Sequence, residues 1–380
     1  MPDLYYFDCN ATTPMGAAAR EAWLEANDRH WANPSSLYRE AGLAKQELDR
    51  WREELADRLG LEEPERIVFT SGATEANNAV IRYFLDTGRK RIAYSAIEHP
   101  CVDAAVKQWG DSEQVREIPV HSDTGVVDLA PLRDWIGDGE IDAVSVMAAN
   151  NETGALQPWR EVAALCREQG IPFHSDAAQW IGKMESGDFD GVDWITGSAH
   201  KFEGGKGCGF LVISEEELDR FHGLIGGPQE DGRRAGTENL PAVAGMVTAL
   251  MGRSDEDLSD IAGVQSQRRD HFEAQVRDAL GVRLLGDGGA RLWNTSMFVL
   301  PHTRNAKWVS RLSQRGFAVS TGSACSSGRG NPSRVMAAMG LDYDEMGRVL
   351  RISGEWETPA AHWEALAGAL VEIEKELQGQ

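Results

Sequence analysis

Val192-Asp193-Trp194-Ile195-Thr196-Gly197-Ser198-Ala199-His200-Lys201 is a short apolar run that breaks into small and polar residues and ends on a lysine. Runs of the same kind recur at 66–70, 91–95, 142–147, 172–175 and 209–213. They are apolar at consecutive positions rather than alternating, the pattern of strands covered on both faces. Helical stretches lie between several of them. One carries Leu48, Trp51, Leu55 and Leu59 at spacings of three and four and stops at Gly60, a residue suited to a C-terminal cap. Strand alternating with helix implies an α/β fold with a mainly parallel sheet and helices on both sides. Ligands of such sheets gather at the carboxyl ends of the strands. The polar motifs of this chain each follow one of these runs, so they can converge.

The acidic run Ser254-Asp255-Glu256-Asp257-Leu258-Ser259-Asp260 reads as a boundary, although it could also start a helix. Beyond it come a helical stretch and strand-like segments at 292–300, 317–320 and 349–353. The chain then runs into an amphipathic helix with Trp363, Leu366, Leu370, Ile373 and Leu377 on its apolar side. This part reads as a second, smaller α/β domain.

At 380 residues, 42% hydrophobic and 26% charged, the composition is that of an ordinary globular protein. No segment approaches the roughly 18 uninterrupted apolar residues that a membrane span needs. The N-terminus lacks a basic region followed by a long apolar one, so a cytoplasmic protein is expected. A net charge of -22 argues against direct nucleic-acid binding and against anionic membranes, both of which need a cationic footprint. The same imbalance would suit a salty cytoplasm, a hypothesis that activity falling steadily with added salt would count against. The five cysteines, Cys9, Cys101, Cys166, Cys208 and Cys325, are far apart, with neither a disulfide framework nor a zinc spacing among them. Four are expected to pack as small hydrophobes.

Lys201 and Asp176 stand at the ends of neighbouring strand candidates. That pairing is what pyridoxal phosphate needs: the lysine amine forms a Schiff base with the aldehyde, and the aspartate keeps the ring nitrogen protonated so that the ring stores electrons. Taken singly, a solvated lysine and a capping aspartate are commoner explanations. The neighbouring motifs reverse that balance. Thr70-Ser71-Gly72-Ala73-Thr74-Glu75 follows a strand and opens a helix, where small residues and the helix dipole favour a phosphate. His99 follows the next strand, placed to stack on a ring and move protons. Asn151 and Gln179 supply amides for the cofactor's ring oxygen or the substrate. The loop 226–239, with Arg233, Arg234 and Thr237, suits an anion, whereas Gly204-Gly205-Lys206-Gly207-Cys208-Gly209 reads as a turn without the spacing of a nucleotide-binding loop. Cys325 sits in Ser320-Thr321-Gly322-Ser323-Ala324-Cys325-Ser326-Ser327-Gly328, among small residues that suit an accessible, reactive thiol. Arg351 ends the last strand candidate and offers a fork for a substrate carboxylate, although an arginine taken at random is more often in a surface ion pair.

Together these motifs resemble the cysteine desulfurases of the class V aminotransferase family, the NifS/IscS-like group. The resemblance runs from Phe7-Asp8-Cys9-Asn10-Ala11-Thr12-Thr13-Pro14 through Asn33-Pro34-Ser35-Ser36, Asn150-Asn151-Glu152, Asp176-Ala177-Ala178-Gln179, Ser198-Ala199-His200-Lys201 and Gly236-Thr237 to Arg351-Ile352-Ser353. The Cys325 segment and the following Pro332-Ser333-Arg334-Val335-Met336 look like the group whose catalytic cysteine rides a longer loop. The resemblance implies the aspartate aminotransferase-like fold of pyridoxal-phosphate enzymes. It further implies a seven-stranded sheet in a large domain at 15–255, with 1–14 and 256–380 forming the small domain and its cysteine loop at about 320–332.

It also implies roles. Lys201 would carry the Schiff base, Asp176 would hold the ring nitrogen, Gln179 the ring oxygen, and His99 would stack on the ring. Ala73, Thr74, Ser198 and His200 would hold the phosphate. Thr237 would reach the phosphate of a partner subunit, implying a homodimer. Asn151, also at the cofactor, and Arg351 would bind the carboxylate of L-cysteine. Lys201, once displaced, would remove the α-proton, and the Cys325 thiolate would take the substrate sulfur as a persulfide, leaving alanine. The sulfur would pass to a protein acceptor such as an iron–sulfur scaffold, or to thiolation; no metal ligand is implied.

Some positions depart from the family pattern. Tyr38 stands where histidine is common, Gly205 where proline is frequent, and Pro228 where glycine is; Gly354-Glu355 follow Ser353, and Glu355 adds an anion near the expected carboxylate clamp. The competing enzyme readings are a selenocysteine lyase or another class V enzyme, for which Cys325 is the discriminator. The competing non-enzyme reading is a degenerate sulfur-transfer scaffold, which intact Lys201, Asp176 and Cys325 oppose.

Overall fold

The computed structural model describes residues 4–89, 91–111, 114–322 and 333–378. Its strands are β1 (Tyr5–Tyr6), β2 (Ile67–Thr70), β3 (Ile92–Ser95), β4 (Val115–Ile118), β5 (Ala143–Ser145), β6 (Phe173–Asp176), β7 (Trp194–Ser198), β8 (Gly209–Val212), β9 (Arg283–Leu284), β10 (Thr295–Val299), β11 (Phe317–Ala318) and β12 (Val349–Ser353). Seven of them form one sheet in the order β2-β8-β7-β6-β5-β3-β4. Only β8 runs against its neighbours in that sheet.

Both faces of this sheet are covered, which explains the unbroken apolar runs. Along β2 and β8, Ile67, Phe69, Phe210 and Val212 enter one core, while Val68 and Leu211 enter another on the opposite side. On β7 the wholly buried Trp194 packs against Tyr83, Phe84 and Phe221 at centroid distances of 5.3, 5.6 and 5.4 Å. Burying an aromatic of this size stabilises the fold by roughly 1.5–3 kcal/mol. The strand missing from the apolar pattern is β4, Val-Arg-Glu-Ile at the sheet edge, where three of four side chains keep some contact with water.

Helices α1 (Ala17–Arg29), α2 (Arg39–Leu59), α3 (Ala73–Asp86) and α4 (Pro100–Trp109) belong to the first half of the chain. The reading of α2 holds: Leu48, Trp51, Leu55 and Leu59 are buried and Gly60 caps the helix with φ 71°. A Cβ at Gly60 would also lie 2.2 Å from the carbonyl oxygen of Gly187, so glycine is required there twice over.

The acidic run at 254–260 starts a helix, Asp255–Leu280, held by a capping box in which Ser254 and Asp257 exchange hydrogen bonds. Beyond it β12, β10 and β9 form a separate antiparallel sheet. The segment expected as a third strand there, β11, pairs instead with β1 from the N-terminus. Phe7 lies between the two, its N–H donating to Ala318 and its carbonyl accepting from Ser353, each at 2.9 Å. Asn10 to Thr13 then cross to the large sheet, where the Thr13 N–H reaches the His200 carbonyl at 2.8 Å. Helix Ala360–Gln378 buries Trp363, Leu366, Leu370 and Ile373 in the core beside β10 and β12, as its periodicity indicates. Among the described residues, no helix is long and apolar enough to cross a membrane.

Candidate active site

Because β2, β3, β5, β6 and β7 run the same way, the turns that follow them open on one edge of the sheet. A cavity of about 530 Å³ lies there, lined by Ala73, Thr74, His99, Asn151, Asp176, Gln179, Ser198, His200 and Lys201 among others. Nine of the side chains singled out in the sequence therefore meet in one place. Cys325 lies outside the described residues. Thr237 is exposed on the loop after Gly226 and does not line the cavity of its own chain. Arg351 is 2% exposed and sits behind Asn151 rather than in the lining.

The turn Ser71–Gly72 leads into α3, whose N-cap, Gly72, has no side chain to cap the first N–H groups. Gly72 has φ 149° and approaches the sheet so closely that a Cβ on Gly209 would lie 2.6 Å from its Cα. Backbone donors at the start of α3, the Ser198 and Thr74 hydroxyls and His200 thus bound a cradle suited to a phosphate. The first turn of α3 is braced by Glu75, whose carboxylate takes a fork from Arg234 at 2.8 and 3.2 Å and the Ser71 N–H at 2.9 Å. Burial raises the Glu75 pKa, but those hydrogen bonds outweigh it and hold the group below its usual range.

Asp176 is 5% exposed. Its two oxygens accept from the Asn77 side-chain amide at 2.7 Å and the Ala178 N–H at 3.0 Å. Asn77 itself is wholly buried on α3, and its carbonyl accepts from Thr196 at 2.6 Å and stands 3.1 Å from His174 Nε2. Burial lowers the His174 pKa to about 4, so the ring is neutral and donates to Asn77 from Nε2 while Nδ1 accepts from Ser145. Asp176 is thereby fixed in place by a chain of buried groups.

His99 caps α4, its Nδ1 accepting from the Cys101 N–H at 3.2 Å with the Cys101 sulfur at 2.9 Å. This places the imidazole proton on Nε2. Burial, then Lys201, lower the His99 pKa despite the opposing charge of Asp176. The Cys101 thiol is pushed up to about 12, first by burial and then by Asp176, so it is no nucleophile. Burial, and next Lys201, bring His200 to about 4. Glu98, next to His99, is wholly buried, and desolvation raises it well above the usual carboxylate range.

Lys201 Nζ donates to the carbonyls of Asn10 and Ala11 at 2.7 and 2.9 Å. The Asn10 carbonyl also accepts from Gln179 Nε2 at 2.9 Å. Arg351 spans two partners, with Nη1 on the Asn151 carbonyl at 2.9 Å and Nη2 on Asp8 at 2.6 Å. Its Nε is buried with no partner among the described residues. Part of the expected clamp is therefore already spent on holding Asn151 and Asp8 in place. Glu355 is partly buried, and its pKa is raised by desolvation and then by Glu203 and Glu357.

Four participants were missed in the sequence as side chains with roles: Asp8, Asn10, Asn77 and Lys183. Asn77 carried a usable signal, since it lies three residues after Thr74 on the same helix face. Asn10 stands inside a motif quoted for resemblance, but its role depends on a crossing between two sheets that spacing does not reveal.

The class V aminotransferase model matches residues 5–359. The chain belongs to the class V aminotransferase family. A cysteine desulfurase of Rhodobacter capsulatus is 36% identical over 382 residues, covering 98% of this chain and 97% of that protein. The NifS-like protein of Rickettsia africae ESF-5 has a structure that superposes with a TM-score of 0.87 at 29% identity, over 98% of this chain and 99% of that one. A structure described as SspA in complex with cysteine matches 92% of this chain and 98% of its own, with a TM-score of 0.77 and 29% identity. This class V chain thus has the expected fold: a mainly parallel seven-stranded sheet accompanied by a smaller α/β unit.

Proposed function

We propose that this chain is a cysteine desulfurase that works with pyridoxal phosphate, taking sulfur from L-cysteine and releasing L-alanine. The observation that carries the reading is the convergence of Lys201, Asp176, Gln179 and His99 with an uncapped helix start on one cavity. The likeness to a curated desulfurase across nearly the whole chain, and to a structure described as holding cysteine, supports it.

The residues present fit the cofactor. Ala73, Thr74, Ser198 and His200 would hold its phosphate, the Asp176 carboxylate would pair with its ring nitrogen, and Gln179 would offer an amide donor. Pyridoxal phosphate, when bound to Lys201, supplies an electron sink for the substrate's Cα. The rest of the work falls to the chain. His99, neutral and carrying its proton on Nε2, would lie against the ring and could hand a proton to or from the reacting atoms. Asn151 orients the substrate carboxylate, and Arg351 acts from behind it, its Nη1 on the Asn151 carbonyl and its Nε without a partner among the described residues. Lys201, once the substrate amine has displaced it, would take the α-proton. The Cys325 thiolate takes the sulfur: a new S–S bond forms as the substrate C–S bond breaks, and the electron pair of that bond stays with the carbon skeleton that becomes alanine.

In this reading the small unit at 1–14 and 256–380 carries the Cys325 segment, and the large one at 15–255 supplies most of the cavity, with Ala11 and Thr12 of the small unit completing its lining. Thr237, exposed on its loop, serves the site of a second copy in a homodimer. The persulfide passes to a protein acceptor in iron–sulfur assembly or thiolation. To test the reading, wild type and Lys201→Ala are incubated with L-cysteine and a reductant. Equal amounts of alanine and sulfide from the wild type alone support it; a wild type that takes up no pyridoxal phosphate and releases neither product refutes it.

A further inference from the structure

Lys183 is wholly buried and pairs with no carboxylate among the described residues. Its Nζ donates instead to two neutral acceptors, Gln179 Oε1 at 2.6 Å and Asn10 Oδ1 at 3.0 Å. Its backbone carbonyl is tied down by Trp293 Nε1 at 2.9 Å. A buried lysine without a counter-ion is unfavourable. Burial, then the charge of Lys201, bring its pKa to about 7; Cys9 acts in the opposite sense and Arg351 in the same one. A neutral amine still has two N–H groups for these two acceptors.

Both acceptors belong to the site. Gln179 and Lys201 share the Asn10 carbonyl, at 2.9 and 2.7 Å. The Asn10 side chain reaches on to Thr295 at 2.8 Å and the Asn151 carbonyl at 3.3 Å. The two ends of the Gln179 amide are chemically different. With Lys183 donating to the oxygen and the Asn10 carbonyl accepting from Nε2, the NH2 end faces Asn10; a flipped amide would set its oxygen against the Asn10 carbonyl, acceptor against acceptor, and take the acceptor away from a Lys183 N–H.

We propose that Lys183 is a positioning residue that fixes the Gln179 amide with its donor end toward the cavity and holds Asn10 so that its carbonyl stays on Lys201. This rests on the reading of the cavity as a cofactor site. It gives the buried amine a function that does not require its charge: orientation of one donor and of one anchor, from behind the reacting face.

The test is a double-mutant cycle on the holoenzyme with Lys183→Met, Gln179→Ala and the double variant. The readouts are the dissociation constant of pyridoxal phosphate and the pH midpoint of the bound cofactor's visible band. Lys183→Met is expected to weaken cofactor binding about tenfold and to move the midpoint, as expected for the loss of an oriented hydrogen bond. The double variant should be weaker than Gln179→Ala by clearly less than the tenfold that Lys183→Met costs alone, because the amide path is already gone and only the hold on Asn10 remains to be lost. Losses that multiply, or a Lys183→Met enzyme with unchanged affinity and midpoint, would overturn the proposal. The cycle is run in parallel with Lys183→Gln, which keeps an N–H donor in the same space and should bind cofactor more tightly than Lys183→Met; equal weakening in both would also count against it. A wild type that binds no cofactor would instead strike the functional reading itself, so the two failures are distinguishable.

Discussion

Replacing Lys183 by methionine should make the protein more stable at pH 7 and less stable at pH 10. Burial, then Lys201, lower the Lys183 pKa from 10.5 to about 7. Between those values the unfolded chain binds a proton that the folded chain does not, so stability rises with pH through that window and the folded state is penalised below it. The shift corresponds to an upper bound of about 5 kcal/mol below pH 7, most of which disappears by pH 10. Methionine fills a similar length without charge. It removes the donors to Gln179 and Asn10, a loss of about 2 kcal/mol; Asn10 Oδ1 keeps a donor in Asn294 Nδ2 at 3.2 Å. The balance is a gain of up to about 2 kcal/mol at pH 7 that turns into a loss of about 1 kcal/mol at pH 10. Urea unfolding of the cofactor-free proteins at the two pH values measures both numbers. If Lys183→Met were destabilised equally at pH 7 and pH 10, the lysine would not be held neutral by burial, and the reasoning would fail.

Asn77→Ala strips Asp176 of its amide donor and leaves Thr196 and His174 without their acceptor; a loss of about 3 kcal/mol in unfolding free energy is expected, together with at least tenfold weaker cofactor binding by absorbance titration. Glu273→Gln breaks a forked pair with Arg291 in which both side chains are 5% exposed. It should cost about 3–5 kcal/mol in a denaturant melt while leaving KM for cysteine unchanged, since the pair lies outside the cavity. Arg351→Ala should raise KM for cysteine about a hundredfold with a smaller effect on kcat, measured by steady-state kinetics; an unaltered KM would remove Arg351 from the substrate site.

The sheet was legible because its strands are covered on both sides, so Ile67-Val68-Phe69 and Gly209-Phe210-Leu211-Val212 read as continuous apolar runs. The strand Val115–Ile118 was not, because an edge strand keeps Arg116 and Glu117 in water. The pairing of Tyr5–Tyr6 with Phe317–Ala318 joins segments some three hundred residues apart, and two-residue strands leave no periodicity to read. At the site, the side chains at the ends of strands were legible: Lys201, Asp176, His99 and the Ser71–Thr74 turn stand directly after apolar runs. The groups behind them were not. Asn77, Asn10 and Lys183 act through contacts made across α3, β6 and the crossing segment 10–13, and a buried lysine in Trp180-Ile181-Gly182-Lys183 looks like any surface cation until its burial is known.

In the proposed reaction sulfur leaves cysteine for the Cys325 thiol. The most direct measurement is mass spectrometry of the Cys325 peptide after a single turnover with L-cysteine and no reductant, alongside alanine release from wild type and Cys325→Ala. A mass gain of one sulfur atom on Cys325, with alanine formation lost in the variant while its bound-cofactor absorbance persists, is the expected result. An unmodified Cys325 peptide, or a Cys325→Ala enzyme that releases alanine as fast as the wild type, would contradict it.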